Sequence, residues 1–180
     1  MKLERNRTAL VVVDVQEAFR PAVAGFDQVA HSAGVLVQGA KALGVPVLVT
    51  EQYPKGLGRT VPEVAAHLDD VTPVEKVCFS AVDSDEFAER LEATGRDQIL
   101  LCGIESHVCV NQTADDLLAR GLTVHVAEDA VTSRTPENRR LGLHKMERGG
   151  AVVTSVETAL FELLRQAGTP EFKEVQRLVK

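Results

Sequence analysis

Cys109 is the residue around which chemistry can be built. The segment Cys102-Gly103-Ile104-Glu105-Ser106-His107-Val108-Cys109-Val110 passes from an apolar, strand-like run through a short turn into a helix. That helix is marked by Val110, Ala114, Leu117 and Leu118 and is stopped by Gly121. With Ser106 as N-cap, Cys109 falls in the first turn, where a backbone N–H has no helical acceptor and the helix dipole favours negative charge. A thiolate is stabilised at such a place, and the N–H of the same residue is free to serve an oxyanion. The plain alternative is a small buried hydrophobe, and position alone does not separate the two.

Two further residues share that setting. Asp14 ends the apolar run Ala9 to Val13, where a carboxylate is costly to bury unless paired. It is either a loop-fixing acceptor or a catalytic base. Lys76 ends a run that starts at Val74 and, taken alone, reads as a solvent-facing lysine. Weight comes from the three together, each at the C-terminal end of a strand in one expected sheet. In such a set a carboxylate takes the thiol proton, an ammonium offsets the anions, and free N–H groups bind the oxyanion.

The remaining candidates are weaker. His107 stands two residues before Cys109, and helix positions two apart do not face each other, so it reads as pointing to solvent. Ser106 has no Gly-x-Ser-x-Gly elbow around it. His31, His67, His107, His125 and His144 lack metal-ligand spacing, so no metal is expected, and His125 is expected to pack in or beside the sheet. No cofactor is expected either, because Gly56 and Gly58 complete neither a dinucleotide nor a Walker pattern. Cys78 and Cys102 sit among apolar neighbours and read as packing. Three cysteines without a CxxC pair suggest neither a disulfide framework nor a zinc knuckle.

The elements that must position these residues follow from the apolar pattern. Ala9 to Val13, Val45 to Val49, Val74 to Val77, Ile99 to Cys102, Leu122 to Val126 and Ala151 to Val153 read as strands buried on both faces. Helical stripes lie between them: Val29, Ala33, Leu36, Ala40 and Leu43 before Gly44, and Val156, Leu160, Leu163 and Leu164 near the end. Asp83 with Glu86 reads as a capping pair, Thr135-Pro136 as a cap with a first-turn proline, and Glu51 to Gly58 as a loop. Strand alternating with helix predicts an α/β fold, a three-layer α/β/α sandwich with a Rossmann-like, six-stranded parallel sheet. With strand order 3-2-1-4-5-6, the ends of strands one and four adjoin at the switch point, which places Asp14 beside the Cys109 loop. Lys76 has to reach inward from farther along the sheet.

Composition sets the outer limits. The chain has 180 residues, 44% hydrophobic and 26% charged, with 13 Gly and 7 Pro, which suits one soluble domain with one core. The domain is expected to span 1–180, with a core of about 8–165 and a tail of 169–180 whose apolar face fits either a second subunit or the same domain. A net charge of −6 without basic–aromatic clusters speaks against nucleic acid and anionic membrane as partners. No run of about 18 apolar residues is present, and the run at Ala9 is too short for a signal-peptide core, so a cytoplasmic location is expected.

On these residues the chain resembles the isochorismatase-like cysteine hydrolases. The likeness covers about residues 8–165 and rests on Val13-Asp14-Val15-Gln16 with Phe19, on Glu75-Lys76, and on Gly103 to Val110. Glu51 to Gly58 and Cys78-Phe79-Ser80 look more specifically like the isochorismatase domain-containing proteins. The resemblance implies a catalytic triad of Asp14, Lys76 and Cys109, oxyanion N–H groups from Glu105 and Cys109, a cis peptide at Ile104-Glu105, and substrate contacts from Gln16, Phe19 and Tyr53. It further implies a homo-oligomer acting on a small molecule. The family's nicotinamidases carry an Asp-x-His metal motif after the second strand, whereas Glu51-Gln52-Tyr53 stands here.

Three functions remain open from the sequence. The first is cysteine-dependent hydrolysis of a small amide through a thioester. The second is vinyl ether hydrolysis of the isochorismatase type, using Asp14 without the thiol. The third is small-molecule binding without catalysis. Cys109 favours the first.

Overall fold

The structure, a computed structural model, describes residues 2–180. Among these residues six strands form one parallel sheet in the order β3-β2-β1-β4-β5-β6. The strands are β1 (Thr8–Val13), β2 (Val47–Gln52), β3 (Val74–Lys76), β4 (Gln98–Ile104), β5 (Thr123–Thr132) and β6 (Val152–Thr154). The helices are α1 (Phe26–Ala42), α2 (Pro54–Leu57), α3 (Pro62–Ala65), α4 (Asp85–Ala93), α5 (Cys109–Ala119), α6 (Pro136–Gly149), α7 (Val156–Leu164) and α8 (Pro170–Leu178). The expected three-layer fold and strand order are both present.

Strand alternation divides the core in two. Leu10, Val12, Leu100 and Cys102 pack on one face under α1, α7 and α8, and Ala9, Val11, Val13, Ile99 and Leu101 pack on the other with α4, α5 and α6. Both faces being covered explains why these strands carry continuous apolar runs. The tail belongs to the first layer. Thr169 caps α8 through the Phe172 N–H, Val175 is fully buried, and Phe172 sets its ring edge-on to Phe161 at 6.4 Å.

Several boundaries differ from the sequence expectation, each for a local reason. β2 begins at Val47 because Pro46 has no N–H to give the ladder, although its carbonyl accepts from Leu10. It runs on through Glu51 and Gln52, and Pro54–Leu57 closes a helical turn, so Glu51 to Gly58 is not simply a loop. β5 continues to Thr132 past Glu128 and Asp129, whose exposed charges break the apolar run where the pairing with β4 also shifts register, from Leu101 with Val126 to Gly103 with Val131. Ser84, not Asp83, caps α4, accepting from the Phe87 N–H.

At the switch point Gly103 of β4 lies directly against the Val13 backbone of β1. A Cβ on Gly103 would stand 2.0 Å from the Val13 carbonyl oxygen, and Gly103 has φ +124°, so only glycine fits without displacing one strand. This contact sets the ends that carry Asp14 and the Cys109 turn at their mutual distance.

Candidate active site

The first buried charge is at the end of β1. Asp14 takes a left-handed backbone, φ 52°, which aspartate tolerates better than most residues and which turns the chain as it leaves the sheet. Its carboxylate is fully buried, with Oδ1 accepting from Thr50 Oγ1 at 2.7 Å and Oδ2 from Lys76 Nζ at 2.8 Å.

Lys76 reaches this carboxylate from β3 by crossing β2. Its ammonium also donates to Gln52 Oε1 at 2.6 Å and to the carbonyls of Cys78 and Phe79 at 3.1 and 3.2 Å. Three N–H donors thus face four oxygens, and the charge is held where an unpaired ion would cost several kcal/mol. The solvent-facing lysine that the isolated sequence suggests is overruled by the short β3, which ends beside Gln52.

α5 begins at Cys109 itself. Val108 occupies the N-cap position, and Ser106 does not cap because its hydroxyl turns away to Ser133 Oγ at 2.7 Å and Arg139 O at 3.3 Å. The Ile104-Glu105 peptide is cis. Among the described residues, neither the Glu105 N–H nor the Cys109 N–H meets an acceptor. Two unengaged donors therefore flank the turn that carries the thiol.

The expectation of a ready thiolate is corrected. Cys109 is 6% exposed, and its thiol is pushed up to about 12, first by burial and then by the Asp14 charge. Lys76 opposes the shift, while the charge of Glu105 adds to it. The thiol therefore rests protonated beside a carboxylate that can receive its proton. Burial and the Asp14 charge both disfavour a standing thiolate at this position.

The other expected site residues fall in different places. Gln16 is fully buried and its amide is engaged by loop backbone: Nε2 donates to Gln52 O and Gly58 O, and Oε1 accepts from Gln52 N. That side chain holds the loop after β2, which differs from the expected substrate contact. Phe19 is half-buried against the α1 side of the core. Tyr53 is exposed and lines a cleft of about 330 Å³ with Pro54, Lys55, Lys76 and Val77. Among the described residues no group of three or more His, Cys, Asp or Glu side chains gathers as metal ligands would. The Glu51 carboxylate is taken by the Thr60 N–H and hydroxyl and by Arg59.

His107 does not face the thiol; it is held by Ser133 Oγ at 3.0 Å from its Nδ1 rather than lying in solvent. His125 is buried in β5. Cys102 is fully buried, whereas Cys78 is half-buried, more open than its apolar neighbours suggested. Thr50, Ser133 and Arg134 were not singled out by the sequence, and Gln52 entered only within the Glu51 to Gly58 stretch, although Gln52 and Ser133 lie at or just beyond strand ends as the triad candidates do.

Comparison with known proteins bears on the family and the fold. The model of the isochorismatase domain matches residues 8–158. Isochorismatase domain-containing protein 2A of Mus musculus is 45% identical over 174 residues, covering 95% of this chain and 82% of its own. The MAR1 ribonuclease structure from Caenorhabditis elegans superposes with a TM-score of 0.93 at 39% identity, covering 99% of this chain and 92% of that one. The YcaC gene product of Escherichia coli, described as an octameric hydrolase of unknown specificity, has the same fold, with a TM-score of 0.92 at 24% identity over 99% of this chain and 90% of its own.

Proposed function

The chain belongs to the isochorismatase family of hydrolases, and from that premise we propose that it hydrolyses the C–N bond of a small-molecule amide with Cys109 as nucleophile. The observation that carries this reading is the Cys109 thiol set against the buried Asp14–Lys76 pair, beside two N–H groups without acceptors.

The steps follow from that geometry. Asp14 receives the thiol proton as sulfur attacks the carbonyl carbon, so the costly free thiolate need not accumulate. The carbonyl oxygen, gaining charge, is met by the Glu105 and Cys109 N–H groups. Asp14 then gives its proton to the departing nitrogen as the C–N bond breaks, leaving a thioester on Cys109. Water, losing a proton to Asp14, attacks the thioester and regenerates the thiol. Lys76 keeps a positive charge beside the carboxylate through both halves, which limits the electrostatic cost of bringing a second anion close.

A small substrate suits this centre better than a polymer. The Caenorhabditis elegans protein is called a ribonuclease; a phosphodiester chain asks for a basic track, and this chain carries −6 and a nucleophile 6% exposed. The reading keeps Tyr53 as a contact for the body of such a substrate, supported by its exposed ring and the cleft it lines with Lys76. The reading includes a homo-oligomer, supported by the exposed apolar side chains of Val77, Phe79 and Leu141. It also includes a cytoplasmic location, supported by three free thiols.

The test is a screen of small primary amides and carbamoyl compounds with wild type and Cys109→Ser in parallel. Amide turnover in wild type that Cys109→Ser loses supports the reading. Turnover that survives the substitution contradicts it, and retained vinyl ether hydrolysis would point to Asp14 acting without the thiol.

A further inference from the structure

Beyond the triad, one short segment holds the nucleophile turn residue by residue. Thr132 O accepts from the Ser106 N–H at 2.8 Å. Ser133 Oγ lies 2.7 Å from Ser106 Oγ and 3.0 Å from His107 Nδ1. The Arg134 backbone N–H and its Nε donate to Glu105 Oε2 at 3.0 and 3.1 Å, and that carboxylate stands 3.9 Å from His107 Nδ1. From behind, α6 blocks retreat, since a Cβ on Gly142 would lie 2.5 Å from the Ser106 carbonyl. The N–H groups of Glu105 and Cys109, both without acceptors, bracket the anchored residues.

We propose that Ser133 is a positioning residue for the oxyanion site. It is 1% exposed and engages Ser106 and His107 rather than the thiol, and by fixing those two residues it fixes where the flanking N–H groups aim. Oxyanion donors act only within a few tenths of an ångström of their place, so an untied turn loses rate without losing the thiol. The inference rests on Cys109 being the nucleophile.

Two reagents separate aim from thiol chemistry. Iodoacetamide alkylates sulfur by displacing iodide and forms no oxyanion. Propionaldehyde adds to the thiol: the S–C bond forms, the C=O π bond breaks, the thiol proton passes to Asp14, and the oxygen becomes an alkoxide facing the two N–H groups. Its affinity is read as protection of the Cys109 peptide from iodoacetamide, by mass spectrometry on the folded full-length chain. Ser133→Ala should keep alkylation within about twofold of wild type and weaken aldehyde protection about 10-fold. Arg134→Met, at an exposed side chain, should weaken protection less and in the same direction, and it carries the test if Ser133→Ala does not fold. Equal protection in wild type and the folded variants overturns the proposal. So does an equal loss of alkylation and protection, which would mark a general structural role. A wild-type Cys109 that is not alkylated, or is alkylated and never protected, overturns the nucleophile reading itself and this inference with it.

Discussion

Lys76 Nζ stands 2.8 Å from Asp14 Oδ2 with both side chains fully shielded from solvent, so the two outer members of the candidate triad form a buried ion pair spanning β3 to β1. Such a pair is weak evidence for stability as a whole, but removing one partner leaves the other charge uncompensated. Lys76→Ala is therefore expected to lose about 3–5 kcal/mol of folding stability as well as amide turnover. Urea unfolding checks this, and Lys76→Ala with Asp14→Asn should be less destabilised than the sum of the single changes. Additive losses would mean that the two side chains do not depend on each other.

The thiols should separate by access and by ionisation. Half-buried Cys78 is expected to react with a bulky disulfide reagent before Cys109, and Cys102 not at all in the folded protein. In a Cys78→Ser, Cys102→Ala background, ultraviolet titration should show no thiolate rising near the ~8.5 of a free cysteine, because burial and Asp14 hold the Cys109 thiol up to about 12. A thiolate already present at neutral pH would contradict the account of proton transfer during attack.

Much of this was legible in the sequence because buried parallel strands write themselves as apolar runs, and their ends mark the ligand side of the sheet. Asp14 and Cys109 stand out for that reason. From its own surroundings Lys76 was legible only as a strand-end residue, and the triad role came from the Glu75-Lys76 resemblance, since nothing in one sequence tells a caged ammonium from a solvated one. The support at Thr132, Ser133 and Arg134 was hidden because Glu128 and Asp129 interrupt the run of β5 where its register with β4 shifts, and the ladder resumes at Val131 and Thr132 through backbone groups that carry no side-chain signature. The cap at Ser106 failed for a related reason: its hydroxyl had a tertiary partner in Ser133.

His125 should make the fold sensitive to acid. Burial lowers its affinity for a proton in the folded state, and neither ring nitrogen has a hydrogen-bond partner among the described residues. The unfolded chain takes up that proton near pH ~6.5, so below this value the unfolded state binds more protons and stability falls until the lower folded value is reached. Above ~6.5 the contribution is complete. His125→Val should flatten this part of the pH dependence of unfolding, and an unchanged acid limb would refute the assignment.

Gly103→Ala tests the spacing of β1 and β4. A methyl group 2.0 Å from the Val13 carbonyl must move one strand end, and φ +124° adds strain. A loss of about 3 kcal/mol or failure to fold is expected, measured by thermal unfolding. A variant as stable as wild type would show that the close approach does not set the site.

The most direct measurement is the mass of the enzyme during turnover. With an amide that the screen identifies as a substrate, acid-quenched wild type should gain the mass of the acyl group less the thiol hydrogen it replaces. Peptide mapping should place that group on Cys109, and Cys109→Ala should show neither adduct nor amide hydrolysis. Amide hydrolysis that persists in Cys109→Ala, with no acyl group on residue 109 of the wild-type protein, would contradict the thioester mechanism.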